Sequence, residues 1–186
     1  VEVLLDTAVA EVGPDRVRLG DGTAIPARTM LWTAGVRAHP LAEALGTELT
    51  KGGRVVVNDD LTLPGHPEVF VVGDMAASRS PGGETLPQVA PVAMQGAEFA
   101  AQTILARLHD EPSGSFTYRD RGSMATIGRN DAVAELPFGA RLSGRIGWLA
   151  WLVLHLVMLI GFRNRANVLV NWAWNYITYD RASRII

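Results

Sequence analysis

Two short stretches hold residue types that could do chemistry together. Val69-Phe70-Val71-Val72 is an apolar run that ends in Gly73-Asp74. After a loop, Leu86-Pro87-Gln88-Val89-Ala90-Pro91 leads into a run of small residues. A glycine at a strand end lets a ligand approach the backbone closely, and a carboxylate beside it can accept hydrogen bonds from hydroxyls. A helix opening near Ala90 presents unpaired N–H groups and a partial positive charge. Pro91 suits its first turn, where the missing N–H costs nothing. This set fits a flavin: Asp74 for the ribityl hydroxyls, and the helix tip at Ala90 and Pro91 for the N1/O2 edge of the isoalloxazine, where it favours the anionic reduced ring. Gly-Asp alone also reads as a plain strand-to-turn terminus, so the pair needs support from elsewhere in the chain.

The other chemistries are thinly represented. The chain has no cysteine, which excludes disulfides, Cys-ligated zinc and iron–sulfur clusters within it. His39, His66, His109 and His155 share no metal-ligand spacing, so no metal site is expected. No Ser/His/Asp constellation is looked for, because in flavin chemistry the cofactor carries the reaction and the protein positions and tunes it. The G-x-G-x-x-G dinucleotide fingerprint is absent. With no Met at its start and no signal-peptide pattern, the chain reads as the C-terminal part of a larger flavoprotein.

The elements that must position these residues follow from pattern. Val1–Leu5, Ala8–Val12, Val17–Leu19, Thr23–Ile25 and Thr29–Trp32 are predicted strands, separated by turns at Gly13-Pro14-Asp15 and Gly20-Asp21-Gly22. Leu41–Leu45 predicts a short helix stopped by Gly46. Val55–Val57 and Val69–Val72 are continuous apolar runs, the pattern of strands covered on both faces, with Pro64-Gly65-His66-Pro67 a turn between them. Arg79–Glu84 predicts a flexible surface loop. A long helix follows over about Pro91–Leu108, with Val92, Gln95, Phe99, Gln102 and Ala106 on one face. Ser123–Ile127 and Ala132–Leu136 predict a hairpin, and from Leu142 the pattern is helical to the end, interrupted at Gly161–Arg165.

The 186 residues carry a net charge of −2 that hides an asymmetry. Residues 1–136 hold 11 Arg and Lys against 18 Asp and Glu, whereas residues 137–186 hold six Arg against Asp180 alone, with four of the five tryptophans. An acidic body with a basic, Trp-rich end suggests a catalytic part and a contact with an anionic surface; uneven solvation is the plainer alternative. Nothing calls for a nucleic-acid partner. Ile146–Phe162 contains no charged residue, but seventeen helical residues reach only about 25 Å, short of a ~30 Å hydrocarbon core. Trp172, Tyr176 and Tyr179 recur at helical spacing, followed by Arg181 and Arg184. Attachment to a bilayer surface through Ile146–Ile186 is favoured over core or homodimer packing, and over a transmembrane span.

Gly122-Ser123-Met124-Ala125-Thr126-Ile127-Gly128-Arg129-Asn130-Asp131-Ala132-Val133-Ala134-Glu135-Leu136 resembles the strand pair of type II NADH dehydrogenases, the single-subunit NADH:quinone oxidoreductases. Gly161-Phe162-Arg163-Asn164-Arg165 and Asn171-Trp172-Ala173-Trp174-Asn175-Tyr176 share the likeness. Thr33-Ala34-Gly35-Val36 resembles the family's crossing from the NADH-binding domain back to the flavin domain.

The resemblance implies an α/β fold with two Rossmann-like dinucleotide-binding domains and a C-terminal membrane-associating helical region. Residues 1–33 would end the NADH-binding domain, 34–110 would end the FAD-binding domain, and 111–186 would form the C-terminal domain. It further implies noncovalent FAD, NADH as substrate, and a membrane quinone as acceptor, without proton pumping, on the cytoplasmic face of the cell membrane. Gly73 and Asp74 would hold the ribityl–pyrophosphate side of FAD, Ala90 and Pro91 would lie by the ring, and Gln95 would face the quinone's approach. Many relatives carry glutamine where Pro91 stands, and Gln88 is near enough to substitute. A mid-helix glutamine bonding a neighbouring loop is the alternative for Gln95. Two other readings stay open: a flavin reductase passing electrons to ferredoxin, rubredoxin or a disulfide, and a non-catalytic membrane-binding remnant.

Overall fold

Tight turns organise the first part of the chain in the computed structural model, which describes residues 2–33 and 35–178. β1 (Val9–Val12), β2 (Arg16–Leu19) and β3 (Ala24–Pro26) form an antiparallel meander. Gly13 N–H donates to the Arg16 carbonyl at 2.9 Å, and Thr23 N–H donates to the Asp21 carboxylate at 2.9 Å, closing the two expected turns. Two expected strands do not form. Residues 2–5 and 29–32 lie outside every described strand, and Leu31 and Trp32 are 87% and 69% exposed. An apolar run becomes a strand only when a neighbour pairs with its N–H and C=O groups, and among the described residues neither run has one.

α1 (Leu41–Ala44) stops a residue earlier than read, with Leu45 as its C-cap and Gly46 following at φ +62°. Val55 is fully buried, yet Val55–Val57 is not a strand. Val55 instead makes single bridges to Leu49 and Ala76. β4 (Thr62–Leu63) and β5 (His66–Phe70) pair antiparallel, so β5 starts within the expected turn and stops before Val71. The two valine runs therefore do not line up as a buried parallel sheet; the parallel bridge of Val55 goes to Ala76, beyond the second run. Their burial comes from packing: Ala42, Val55, Leu63, Val71 and Ala76 form one core cluster. The Arg79–Glu84 loop is on the surface but is tied by a bridge between Arg79 and Thr85 and by Ser80 N–H to the Glu84 carbonyl at 2.8 Å.

α2 (Ala90–Leu108) buries Val92, Gly96, Ala100 and Thr103. Gln102 is exposed; Thr103 occupies the inner face instead. Gly96 brings the helix down onto Leu61 and Val72, where an added Cβ would meet Leu61 Cδ1 at 3.4 Å. Phe116 packs with Leu61, Leu86 and Val92 in a second cluster and tilts against Phe99 with ring centroids 5.6 Å apart. At the far end of α2, Arg107 pairs with Asp60 at 2.8 Å, bonds the Pro67 carbonyl and lies over the Phe70 ring.

β6 (Ser123–Gly128) and β7 (Asp131–Glu135) form the expected hairpin, and β8 (Arg141–Ser143), unforeseen, adds a third strand. α3 (Gly144–Met158) lies on this sheet over Ala132 and Ala134, both buried. Gly147 permits the contact, since a Cβ there would sit 2.6 Å from the Ala132 carbonyl oxygen. Arg165 bonds the carbonyls of Val157 and Leu159 at 2.6 and 2.7 Å, closing the C-terminus of α3. α4 (Phe162–Thr178) begins within the interruption expected at Gly161–Arg165. Its Trp172 stacks on Trp151 and its Tyr176 hydroxyl donates to Asn130 at 2.9 Å, so both side chains serve the fold. Tyr179, Arg181 and Arg184 lie outside the described residues.

Candidate functional site

Backbone geometry brings Gly73, Asp74, Ala90 and Pro91 to one place. After β5 the chain runs through buried Val71 into a 3-10 turn, Gly73–Met75, that touches α2. Gly73 has φ +69°, a conformation that favours glycine, and its absent Cβ would lie 3.5 Å from that of Ala93. The site glycine thus faces the first turn of α2. Asp74 is exposed. Its backbone oxygen accepts from Gln88 Nε2 at 3.0 Å, while its carboxylate takes part in no described hydrogen bond or ion pair.

The helix tip is equally open. Val89 is the N-cap residue and provides no side-chain cap, Pro91 lies in the first turn, and Val89 and Ala90 are both exposed. An uncapped N-terminus leaves its partial positive charge facing outward. Beneath it, Arg54 donates through Nε to the Ala76 carbonyl at 3.0 Å, through Nη2 to the same oxygen, and through Nη1 to the Leu86 carbonyl at 2.9 Å. Burial pushes the guanidinium below the usual arginine range, and the charge of Asp74 acts in the opposite sense. Reading the sequence missed Arg54; its signal was a lone charge opening the apolar run Arg54-Val55-Val56-Val57.

The remaining candidates are placed differently. Gln95, one turn into α2, makes a paired contact with a single residue. Its Nε2 donates to the Arg119 carbonyl and its Oε1 accepts from the Arg119 N–H, both at 3.0 Å. That arrangement matches the loop-bonding alternative and still leaves one N–H and one lone pair on the amide. Gln88 is committed to the Asp74 backbone. Gly35 has φ +92°, is exposed, and has nothing within 4 Å of its missing Cβ; Ala34 lies outside the described residues. Among the described residues no group of acidic, His or Cys side chains could hold a metal.

The site therefore pairs a free carboxylate with an uncapped helix end around a left-handed glycine, a donor–acceptor set that fits a flavin's ribityl chain and ring edge. Residues 1–97 match the pyridine nucleotide-disulphide oxidoreductase family, and residues 121–179 match the NDH2 C-terminal domain. The chain belongs to the pyridine nucleotide-disulphide oxidoreductases, with their α/β fold. Within that class, the chain is similar to type II NADH dehydrogenases. Two type II NADH:quinone oxidoreductases of Mycobacterium tuberculosis are 41% and 40% identical to it over 197 and 199 residues, covering all of this chain and 41% of each relative. The chain thus spans about two-fifths of the length of these curated relatives. A structure of NDH2 from Plasmodium falciparum in complex with NADH shares the fold with a TM-score of 0.73 at 14% identity, over 91% of this chain and 50% of that one.

Proposed function

We propose that this chain is the C-terminal part of a flavoprotein that passes electrons from NADH through FAD to a membrane quinone, without proton pumping. The observation that carries the reading is the open Gly73–Asp74 turn set against the uncapped N-terminus of α2. It stands in a chain that aligns along its whole length with type II NADH:quinone oxidoreductases. Bound FAD supplies the redox chemistry, accepting hydride and releasing electrons. The chain's own residues bind and bias it. Asp74 accepts hydrogen bonds from the ribityl hydroxyls, and Gly73 lets the backbone lie close to them. The α2 terminus at Ala90 and Pro91 places its positive end by the ring, an effect worth about 0.3–1 kcal/mol at a surface and up to ~2 when partly buried. Gln95, fixed in orientation by Arg119, presents its remaining N–H to an approaching quinone carbonyl.

In this reading residues 1–33 close the NADH-binding domain, Ala34 and Gly35 make the crossing, residues 34–110 close the FAD-binding domain, and residues 111–186 seat the enzyme on the cytoplasmic face of the membrane. No helix among the described residues is long and apolar enough to cross a membrane. Support for a surface seat comes from Ile146, Leu149, Val153 and Val157 on α3 and Val170, Trp174 and Ile177 on α4, all exposed. Homodimer packing through the same faces is the competing occupant.

The full-length protein should purify with bound flavin and reduce a water-soluble quinone at the expense of NADH. A protein that is colourless and leaves added FAD unbound would overturn the proposal.

A further inference from the structure

Two polar staples join the segments that make the flavin cradle, and both come from residues outside the cradle. Arg54 reaches the carbonyls of Ala76 and Leu86, which stand at the two ends of the surface loop between the 3-10 turn and α2. Ala76 caps the turn that carries Asp74, and Leu86 lies four residues before α2 begins. Gln88 makes the second staple, from the pre-helix segment back to the Asp74 carbonyl at 3.0 Å. Neither side chain reaches outward to a ligand position through these bonds; each instead fixes the spacing between carboxylate and helix end. We infer that Arg54, assisted by Gln88, is a positioning residue for the flavin, holding the Asp74 turn and the N-terminus of α2 at the separation that one cofactor must bridge.

The geometry requires arginine. One planar fork bonds a single carbonyl through two nitrogens and a second carbonyl through the third, which a lysine ammonium on a flexible stem cannot reproduce. The attraction between Arg54 and Asp74 adds a reason for the guanidinium to stay beneath the turn. Apart from the staples, the loop is tied near its middle by the Arg79–Thr85 bridge and near its ends by Leu86 N–H to the Ser78 carbonyl at 2.9 Å. Loss of Arg54 would therefore leave the loop closed by its backbone bonds but remove the side-chain link between the Ala76 and Leu86 carbonyls that sets the pre-helix segment against the turn.

This inference rests on the flavin reading, and the test separates the two. In full-length protein stripped of flavin, titration with FAD is followed by quenching of flavin fluorescence, and unfolding midpoints are measured with and without saturating FAD. Arg54→Lys should weaken FAD binding about tenfold or more, and Gln88→Leu about three- to tenfold, as expected for lost hydrogen bonds of ordinary strength. In both variants the rise in midpoint that FAD gives the wild type should shrink. A purely structural role would lower the midpoint equally with and without FAD and leave the affinity unchanged, and that result overturns the inference. If Arg54→Lys does not fold, Gln88→Leu decides alone: unchanged affinity there overturns the clamp. Wild-type protein that binds no FAD overturns the flavin reading itself, before either variant is considered.

Discussion

Asp74 sends its carboxylate into solvent while its backbone oxygen is held by Gln88, so side chain and main chain have separate tasks. Asp74→Ala in the full-length protein should raise the FAD dissociation constant about 10- to 100-fold. That range corresponds to losing one or two hydrogen bonds to a charged group at roughly 1.5–3 kcal/mol, and it is read by titrating the apoprotein. The apoprotein's own stability should move little, because the exposed carboxylate makes no described hydrogen bond or ion pair and the substitution removes only its longer-range attraction to Arg54. Pro91 was legible in the sequence because its meaning is local, a first helical turn that leaves a signature within a few residues; Gly73 and Asp74 were read as the end of an apolar strand, whereas β5 stops at Phe70 and the pair open a 3-10 turn three residues on. Arg54 was not legible, because its partners lie 22 and 32 residues away. Gln95 was half legible. Its place on the inner side of α2 could be read, but its pairing with the Arg119 backbone spans 24 residues.

Elements here are held by close approach and by a few charged contacts. α3 meets β7 at Gly147, where a methyl group would lie 2.6 Å from a backbone oxygen that cannot move aside cheaply. Gly147→Ala should cost about 1–3 kcal/mol, seen as a lower unfolding midpoint, and should also loosen the stacking of Trp151 on Trp172, reported by tryptophan fluorescence. Arg107, in the last turn of α2, and Asp60, just before β4, join that helix to the β4–β5 pair. Burial opposes charge on Asp60, but the hydrogen bonds from Thr62 and the charge of Arg107 outweigh it and hold the carboxyl below its ordinary value. A carboxyl with a depressed folded pKa stabilises above its unfolded value of about 3.9, and the gain is lost as pH falls through the folded value. Asp60→Asn should therefore destabilise by about 1 kcal/mol at neutral pH, with the difference from wild type fading below about pH 4, as denaturant titrations at several pH values would register. Hairpin and helix signals located α2 and the β6–β7 pair to within a residue or two. The expected strands at residues 2–5 and 29–32 failed for a reason propensity does not contain: pairing depends on a neighbour being alongside. The continuous valine runs misled in the same way, since Val55 and Val71 are buried by side-chain packing rather than by membership of a parallel sheet.

Across the whole molecule, the acidic body and basic, aromatic tail read from composition map onto different parts of the structure. In the tail, half-buried Trp151 and Trp172 stack on each other and Tyr176 bonds Asn130, which leaves an outer apolar face without a described partner. Val153 and Val157 are 56% and 58% exposed on that face. Val153→Asp combined with Val157→Asp should leave the unfolding midpoint near that of wild type while moving the full-length protein from the membrane fraction to the soluble one. Retention on membranes would assign that face to another occupant, and a change in oligomer size would point to a second copy. A cut after Leu136 is a poorer test, because it removes β8 and α3 and uncovers Ala132 and Ala134. Flavin binding by this chain requires that the turn after β5 and the start of α2 form one cradle. The most direct measurement is the flavin affinity of full-length wild-type protein beside its Asp74→Ala variant. Tight one-to-one binding of FAD to the wild type and binding at least about tenfold weaker in the variant is the predicted result. Equal affinity in the two proteins, or no binding to either, would contradict it.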